Sequence, residues 1–464
     1  MATITTTNPA TEEKISTFTV VTNNQIKQAV DDARNAFNSW KAADEERKNT
    51  LHAMSEYLKK NSETLAKVAT NEMGKVIKES KSEVEKCAWA MEFYADNGQI
   101  FLQEETLNTD ARKSTIKFEP LGVIASIMPW NFPYWQALRF AAPSLMAGNV
   151  VVLKPASATL QSGIEIENAF KEIDAKKGIF HTLIGNSDSA TTLIDSDINA
   201  VTFTGSEKAG AKVGKRASAN LKKCVLELGG SDPFIILDDA DIDKATDGAV
   251  KGRFINCGQS CIASKRFFVS KEVAEEFTEK FIHKTEKLVV GDPLSENSDL
   301  GPLVNKDALD RISEMVQDAK KKGCNVLTGG EQLHDGKGYF YKPTILTDIK
   351  DNMDVASEET FGPIAPITII EDEDEAIRLA NDSKYGLGAS IWTENLKTAE
   401  VLSDKIESGI VSVNNVVVSD PRIPFGGIKN SGFGRELSRY GMLEFVSVKS
   451  IRFYDDLVSH HYVE

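Results

Sequence analysis

The sequence predicts an α/β protein with two doubly wound domains, each a parallel sheet covered by helices. Three observations lead to this class. A chain of 464 residues is too long for one hydrophobic core. Short apolar runs alternate with helical patterns, which is typical of parallel strands buried on both faces. The alternation occurs twice, and residues 230–240 separate the two series.

The chain begins with a helical region over residues 24–100, where apolar side chains recur at the spacing of one helix face. Two such faces consist of Ile26, Val30, Ala33 and Phe37, and of Leu51, Met54 and Leu58. Buried strands are then predicted from the short apolar runs VIASIM (123–128), VVVL (150–153), AVTFTG (200–205), CVLEL (224–228) and PFIIL (233–237).

The second series has helices near 271–288 and 304–322. Its strands are predicted from RFFVS (266–270), NVLTGG (325–330), PITIIED (366–372) and GIVSVNN (409–415). The tail KSIRFYDDLVSHHYVE (449–464) is predicted to be a terminal strand that serves assembly.

Composition excludes several classes of function. The net charge is −15 and no basic block occurs, which argues against nucleic-acid binding. No run of about 18 apolar residues predicts a membrane span, and the first fourteen residues lack the features of a signal peptide. Five scattered cysteines argue against a disulfide framework, so we expect a reducing, cytoplasmic setting.

The candidate chemistry starts at NCGQSCIASKR (256–266), which contains Cys257 and Cys261. A thiol with an ordinary pKa of about 8.5 is only a few per cent ionised at neutral pH, so a nucleophilic cysteine needs a helix N-terminus or a cation that lowers its pKa. From these residues alone, packing, a disulfide and nucleophilic chemistry stay open. A zinc site is disfavoured, because no second Cys/His pair follows at a suitable spacing.

Two further segments place polar side chains in apolar surroundings. Glu227, in LELGGSDP (226–233), stands in an apolar strand before a Gly-Gly turn, where burial raises the pKa of a carboxyl towards that of a general base. Asn131, in MPWNFPYWQ (128–136), lies on a rigid loop that suits an amide donor to an oxyanion. Taken singly, a salt-bridged acid and a turn residue remain adequate explanations.

Together these segments resemble the aldehyde dehydrogenase superfamily, and closest to them are the NAD(P)-dependent succinate-semialdehyde dehydrogenases. Eight landmarks occur in order, namely NPATEE, PWNFP, LKPAS (153–157), FTGSEKAG (203–210), LELGG, GQSC, EETFGP (358–363) and PFGGIKNSGFGRE (424–436). Each motif is weak alone, and their order makes the set specific.

The resemblance implies a mechanism. Cys261 attacks the aldehyde carbonyl, and the Asn131 amide and the Cys261 N–H hold the oxyanion of the thiohemiacetal. Hydride passes to C4 of the nicotinamide and leaves a thioester, for which Glu227 activates the hydrolytic water. No metal is expected. None of the six histidines falls in a motif, so a Cys/His hydrolase has no visible partner for its nucleophile.

The resemblance also implies a cofactor site in a variant Rossmann domain. FTGSEKAG opens a helix, so Gly205 and Gly210 let the backbone approach a pyrophosphate and Ser206 offers a hydroxyl. Lys154 then reaches the adenosine ribose and Glu359 the nicotinamide ribose. Phe361 packs at the nicotinamide end, and Trp130 belongs to the same cofactor-binding set.

Ser157 indicates which nicotinamide cofactor is used. NAD-preferring relatives often have a glutamate three residues after the lysine, where it binds the ribose hydroxyls and repels a 2′-phosphate. Here a small neutral serine leaves room for that phosphate to pair with Lys154. We therefore expect NADP to be preferred and NAD to be accepted; the alternative is that serine is merely tolerated.

Arg139 is the candidate reader of a substrate carboxylate. It follows Asn131 by eight residues, where the resemblance places a carboxylate-binding arginine, and succinate semialdehyde is the substrate that this favours. A second arginine common in those enzymes is replaced by Ile255, and nearby Arg253 is expected to point elsewhere. Another small aldehyde remains an alternative substrate. The alternative to a binding role is that Arg139 is a surface or interdomain residue.

The resemblance divides the chain. Residues 1–106 and 123–230 form a cofactor-binding domain and residues 231–423 a catalytic domain. Residues 107–122 and 440–464 form a small β element for assembly into a homodimer or homotetramer. A coenzyme-A-acylating enzyme is disfavoured by Glu227, and a non-catalytic scaffold by retention of the whole catalytic set. Cys257 is a packing residue or forms a reversible disulfide with Cys261 under oxidation.

Overall fold

The computed structural model describes residues 2–333 and 336–455 and confirms the predicted α/β class. Its strands are β1 (Thr3–Thr7), β2 (Lys14–Thr19), β3 (Glu105–Leu107), β4 (Lys113–Pro120), β5 (Val123–Ile127), β6 (Val150–Lys154), β7 (Phe180–Thr182), β8 (Ala200–Thr204), β9 (Lys223–Glu227), β10 (Asp232–Ile236), β11 (Ser264–Ser270), β12 (Asn325–Thr328), β13 (Thr344–Thr347), β14 (Ile364–Ile370), β15 (Tyr385–Gly386), β16 (Gly388–Trp392), β17 (Ile410–Val413), β18 (Ile428–Lys429), β19 (Gly432–Phe433) and β20 (Val446–Phe453).

The helices of the same ranges are α1 (Asn23–Trp40), α2 (Asp44–Lys60), α3 (Ser62–Met73), α4 (Ile77–Phe101), α5 (Pro133–Met146), α6 (Leu160–Glu172), α7 (Ser187–Asp195), α8 (Glu207–Ala219), α9 (Ile242–Phe254), α10 (Ala274–Glu286), α11 (Lys306–Lys321), α12 (Asp354–Ser357), α13 (Glu373–Asn381), α14 (Leu396–Lys405) and α15 (Ser438–Leu443). A search of these described helices finds none that is long and apolar enough to cross a membrane.

The first large sheet has the strand order β19-β9-β8-β5-β6-β7, and the strands from β9 to β7 run parallel. Every residue of β5, β6 and β8 is buried, as expected for strands covered on both faces. The strand order reverses beside β5, because the chain proceeds first to β6 on one side and later to β8 on the other. In such sheets the carboxyl ends of the strands at this point form a ligand crevice.

The predicted amphipathic face of α1 packs on this sheet. Thr22 and Gln25 form a capping box, which satisfies backbone N–H groups at the start of the helix. Ile26, Val30 and Ala33 are then fully buried in the core that this sheet shares with its helices. Helical spacing in the sequence and burial in the structure therefore agree for this element.

The second large sheet has the order β12-β13-β14-β11-β10-β16-β17 and is parallel except at β12. Along β10, Phe234 and Ile236 face one hydrophobic cluster, while Ile235 faces another on the opposite side. In the first cluster, Phe234 stacks on Trp392 with ring centroids 5.2 Å apart. Apolar packing on both faces explains why the strand reads as a continuous apolar run.

A small antiparallel sheet has the order β20-β4-β3. It contains the strands of the two segments that the sequence assigns to assembly, although β3 starts at Glu105, two residues before the predicted hairpin. The β20 strand ends at Phe453, and residues 456–464 of the predicted terminal element lie outside the described residues.

Several strands were not predicted from the sequence. The β16 strand, GASIW, begins with residues of low strand propensity, and β13 spans only four residues between a proline and an acidic turn. The short β19 strand also has no apolar pattern of its own. It adds antiparallel to the edge of the first sheet and brings the segment after residue 423 back to β9.

Candidate active site

Two cavities meet at Cys261. The α4–α5 cavity, of about 760 Å³, is lined in part by Lys78, Ser82 and Lys86 of α4 and by Trp135, Gln136 and Arg139 of α5. The α8 cavity, of about 700 Å³, is lined in part by Trp130, Asn131, Gly205, Ser206, Glu359 and Phe361. Cys261 and Gln136 line both cavities and therefore form the junction between them.

The segment before Cys261 has a strained backbone. Asn256 and Cys257 adopt left-handed conformations, with φ of 50° and 54°, which non-glycine residues seldom do outside sites that hold them there. The Asn256 side-chain amide donates to the Asn131 carbonyl at 2.8 Å, and its backbone N–H donates to the Glu79 carboxylate at 3.0 Å. These bonds join the strained turn to the loop that carries Asn131 and to α4, respectively.

Arg253 holds the same turn from the other side. Its fully buried guanidinium donates to the carbonyls of Gly258 (2.9 Å), Ser264 (2.9 Å), Thr360 (3.2 Å) and Gly362 (2.7 Å). A Cβ on Gly258 would overlap the Gly362 carbonyl, so this position requires glycine. As expected from the sequence, Arg253 points away from the α4–α5 cavity, which Ile255 lines instead.

Burial raises the pKa of the Cys261 thiol to about 11, although the cations Arg139 and Lys265 act in the opposite direction. Cys261 lies between a short 3₁₀ turn (Ile255–Gly258) and β11, so no helix N-terminus lowers its pKa. Lys265 donates to the Cys261 carbonyl at 2.6 Å and fixes the backbone there. The structure therefore presents a neutral, well-positioned thiol rather than a resident thiolate.

Asn131 lies close to the Cys261 turn and is almost fully buried. Its side-chain amide donates to the Gln259 carbonyl at 3.0 Å, which leaves one amide hydrogen unused among the described contacts. The Cys261 backbone N–H also makes no hydrogen bond within the described ranges. Two free donors beside one thiol form an arrangement that suits a developing oxyanion.

Glu227 is buried at the end of β9, and neither carboxylate oxygen has a hydrogen-bond partner within the described residues. Burial, together with the nearby carboxylate of Glu436, raises its pKa well above the ordinary value. Arg139 acts against this rise and forms an ion pair with Glu436. Glu227 lines neither cavity, but its neighbours Leu228 and Gly229 line the α8 cavity.

The sequence-predicted cofactor residues divide into two groups. Trp130, Gly205, Ser206, Glu359 and Phe361 come together around the α8 cavity. The rings of Trp130 and Phe361 are 5.8 Å apart in an edge-to-face arrangement, and Glu359 accepts from the Gly230 N–H at 3.1 Å. Ser206 caps α8, so the cavity faces the first N–H groups of a thirteen-residue helix.

Lys154, Ser157 and Gly210 are not among the lining residues of that cavity. A Cβ on Gly210 would overlap Leu228, so this glycine permits close packing of α8 beside β9. Lys154 ends β6 and Ser157 is exposed three residues later, at the carboxyl ends of the strands. Burial alone lowers the pKa of Lys154 to about 8, and no described carboxylate compensates its charge.

Arg139 is buried on α5 and lines the α4–α5 cavity, one helical turn after Trp135. Its guanidinium lies 4.7 Å from the centre of the Phe425 ring, and its Nη2 has no partner within the described ranges. The carboxylate of Glu83 accepts from the N–H groups of Tyr134 and Trp135, at 2.8 and 2.9 Å, and so anchors the start of α5. The helix holds Arg139 at a fixed place in the wall.

Cys257 faces away from this site. It is buried in the hydrophobic cluster of the second sheet, whereas Cys261 packs partly against the cluster of the first. Burial raises the pKa of Cys257 to about 12, so its thiol stays protonated at neutral pH. All five cysteines are unpaired, and the described ranges contain no group of histidine, cysteine or acidic side chains that could hold a metal ion.

Sequence reasoning did not single out Glu436, Gln136 or Lys86. Glu436 lies in a quoted motif, but only its contact with Arg139 gives it a role. Gln136 has a buried carbonyl oxygen without a partner among the described residues, and it lines both cavities. A lysine within the apolar stretch KCAWAM (86–91) was the one available signal for Lys86.

A doubly wound α/β fold with one thiol between two cavities is typical of a cofactor-dependent enzyme that forms a covalent intermediate. A family model described as Aldehyde dehydrogenase family matches residues 1–451. The chain belongs to the aldehyde dehydrogenase family, and the resemblance seen in its motifs is thereby confirmed.

Individual relatives are similar over nearly their whole length. A probable succinate-semialdehyde dehydrogenase (NADP(+)) of Synechocystis sp. is 45% identical over 450 residues, which cover 97% of this chain and 99% of the relative. The succinate semialdehyde dehydrogenase (NAD(P)+) Sad of Escherichia coli is 41% identical, with 96% of each chain covered. The crystal structure of succinic semialdehyde dehydrogenase from Streptococcus pyogenes in complex with NADP+ superposes with a TM-score of 0.95 at 36% identity, and covers 97% of this chain and 100% of its own.

Proposed function

We propose that this protein oxidises succinate semialdehyde to succinate, with NADP as the preferred cofactor and NAD as a second one. The observation that carries the proposal is the α4–α5 cavity, which joins Cys261 to the buried guanidinium of Arg139. An aldehyde at the thiol and a carboxylate at the arginine are the two ends of a short semialdehyde. The names of the most similar relatives support the same substrate.

In the proposed mechanism, the Cys261 thiol loses its proton to solvent in the cavity, and the resulting thiolate adds to the aldehyde carbon. The second amide hydrogen of Asn131 and the Cys261 N–H hold the oxyanion, because both are free to donate. A bound nicotinamide supplies the acceptor for the hydride that leaves the thiohemiacetal. Glu227 then takes a proton from the water that hydrolyses the thioester, and its raised pKa makes it a stronger base than an exposed carboxylate. Since Glu227 lies outside the cavity walls, rotation of its side chain towards the thiol is part of the proposal.

The cofactor residues are proposed from their grouping. Trp130, Glu359 and Phe361 would hold the nicotinamide half beside Cys261, and the Gly205–Ser206 turn would hold the pyrophosphate. The buried, uncompensated charge of Lys154 would take a 2′-phosphate, with Ser157 beside it. Gly210 supports this site through packing of α8 on Leu228 rather than through contact.

Ser157→Glu is expected to lower kcat/KM with NADP by about tenfold to a hundredfold, because the new carboxylate repels a 2′-phosphate. Activity with NAD should stay within about threefold. Steady-state assays with both cofactors at a fixed aldehyde concentration measure the change. Ser187→Glu, an exposed serine at the start of α7, is the matched control and should leave both values unchanged. A wild-type preference for NAD of tenfold or more would contradict the NADP assignment.

Arg139→Met is expected to raise KM for succinate semialdehyde by about tenfold or more, because a buried charge-assisted contact with the carboxylate is lost. KM for butanal, which has no carboxylate, should change by less than about threefold. The variant also leaves Glu436 buried without its cation, so a loss of stability of about 3–5 kcal/mol accompanies it. Arg139→Met combined with Glu436→Gln should regain stability but not the affinity for the semialdehyde. An equal rise of KM for both aldehydes would refute the role of Arg139.

We also infer the proposed domain division and self-assembly through the small sheet. Val448 and Phe453 on β20 are more than half exposed, which supports a partner surface along this strand. Five unpaired cysteines support a reducing, cytoplasmic setting. A homodimer or homotetramer in the cytoplasm is therefore the proposed state.

A further inference from the structure

Lys86 is a cation of the α4–α5 cavity that the mechanism above does not use. It lies on the same face of α4 as Lys78 and Ser82, and that face forms one wall of the cavity. Its Nζ sits 4.4 Å from the centre of the Trp135 ring, and Trp135 precedes Arg139 by one turn of α5. Two cations from two helices therefore line one cavity that opens onto Cys261.

No carboxylate among the described residues forms an ion pair with Lys86. Its Nζ donates to the Ser419 hydroxyl at 2.7 Å, and the described residues provide no ion pair for it. Glu83 binds Lys75 and two N–H groups of α5, while Asp420 is held by Arg422 at 2.6 Å. Glu83 and Asp420, the two carboxylates that act electrostatically on Lys86, therefore already have other partners.

The neighbouring Arg139 opposes the charge of Lys86, although it is itself paired with Glu436. Arg139 shares its guanidinium with Glu436 through Nε, but its Nη2 has no partner among the described residues. Burial, followed by the charge of Arg139, lowers the pKa of Lys86 to about 8. Two partly desolvated cations close enough to oppose each other are costly unless an anion enters between them.

We propose that Lys86 is a second substrate-binding cation of this cavity, which pairs with the terminal carboxylate of an ω-carboxylated aldehyde beside Arg139. The inference rests on the proposed function, since it assigns a further residue to the same carboxylate subsite. It also explains how the site can have Ile255 where related enzymes have a second arginine. The second positive charge comes from Lys86 on α4 instead of from the turn before the nucleophile.

The test compares the full-length wild type with Lys86→Met, which keeps the length of the side chain and its packing on Trp135 but removes the charge. Substrates are malonate, succinate and glutarate semialdehydes, each paired with the uncharged aldehyde of the same carbon number. Lys86→Met should raise KM for the preferred semialdehyde by about tenfold or more and change KM for its uncharged partner by less than about twofold. Lys86→Arg should restore most of the affinity, which a purely structural role would not require.

Lys78→Met is the matched control. Lys78 lines the same cavity, but it is paired with Asp299 at 2.7 Å, so its loss should not change the selectivity for semialdehydes. Circular dichroism and a thermal melt establish that each variant is folded.

The possible outcomes separate the two proposals. If the wild type prefers succinate semialdehyde and Lys86→Met affects charged and uncharged aldehydes equally, the role of Lys86 is overturned while the proposed function stands. If another semialdehyde is preferred and Lys86→Met selectively weakens it, the role of Lys86 stands and the proposed substrate is overturned. A wild type with no preference for any carboxylated aldehyde overturns both.

Discussion

Cys261→Ala is expected to lower the rate of aldehyde oxidation by at least about 10⁴-fold, because Cys261 is the one cysteine among the described residues that line the cavities. Production of reduced cofactor, followed by absorbance, measures the loss. Cofactor binding and the melting temperature should be nearly unchanged, since a small, partly buried side chain is replaced by a smaller one. Cys224→Ala is the matched control, because Cys224 is also partly buried but lines neither cavity.

Ionisation of the Cys261 thiol provides a second measurement. Burial raises its pKa to about 11, so the reactive thiolate should increase as pH rises towards that value. The rate of iodoacetamide labelling at Cys261 in the free enzyme should therefore continue to rise above about pH 9. A plateau near neutral pH would contradict this ionisation, and residual oxidation in Cys261→Ala at the level of the control would contradict the nucleophile.

Glu227→Gln is expected to slow steady-state turnover by about 10²- to 10⁴-fold and to leave the first turnover almost intact. The base is proposed to act only on the thioester, so reduced cofactor should still form once per site in a rapid burst. Stopped-flow absorbance measures the burst amplitude and the slow rate that follows. Loss of the burst along with the steady-state rate would show that Glu227 acts before the thioester forms, or that it only supports the structure.

The proposed role of Glu227 also determines whether thioester hydrolysis in the wild type rises or falls with pH. Burial raises the pKa of this carboxyl well above its ordinary value, so the side chain is protonated at a pH where an exposed glutamate is ionised. The base form increases with pH, and thioester hydrolysis should rise with it and fall on acidification. This acid limb should be absent from Glu227→Gln. It should persist in Glu72→Gln, which alters another buried carboxyl that accepts N–H groups at the start of α6.

Most of the fold could be predicted because its strands are buried on both faces and therefore appear as continuous apolar runs. The β5, β6, β8 and β10 strands all have this pattern, and each was located to within a few residues. The β16 strand was missed because glycine and alanine at its start carry little strand signal. Its place in the sheet depends on pairing with β10, which is a long-range contact.

The residue types of the candidate site could be predicted from the sequence, but its ion pairs and pKa shifts could not. Arg139 was predicted because the family resemblance places a carboxylate-binding arginine at this position, yet its pairing with Glu436 joins positions almost three hundred residues apart and depends on the fold. The net direction of the Cys261 pKa could not be derived from the sequence, because it depends on burial, which outweighs the nearby cations in the structure. Lys86 could not be assigned at all until α4 and α5 were seen to enclose one cavity.

The buried guanidinium of Arg253 has a mechanical consequence. It bonds at once to the turn before Cys261 and to the segment that follows Glu359, so separating these two segments would break several charge-assisted hydrogen bonds in a dry interior. These bonds therefore tie the backbone near Cys261, the proposed nucleophile, to the backbone near Glu359, the proposed ribose-binding carboxylate. A ligand that enters the site is therefore expected to leave the spacing between the Cys261 thiol and the Glu359 carboxylate almost unchanged.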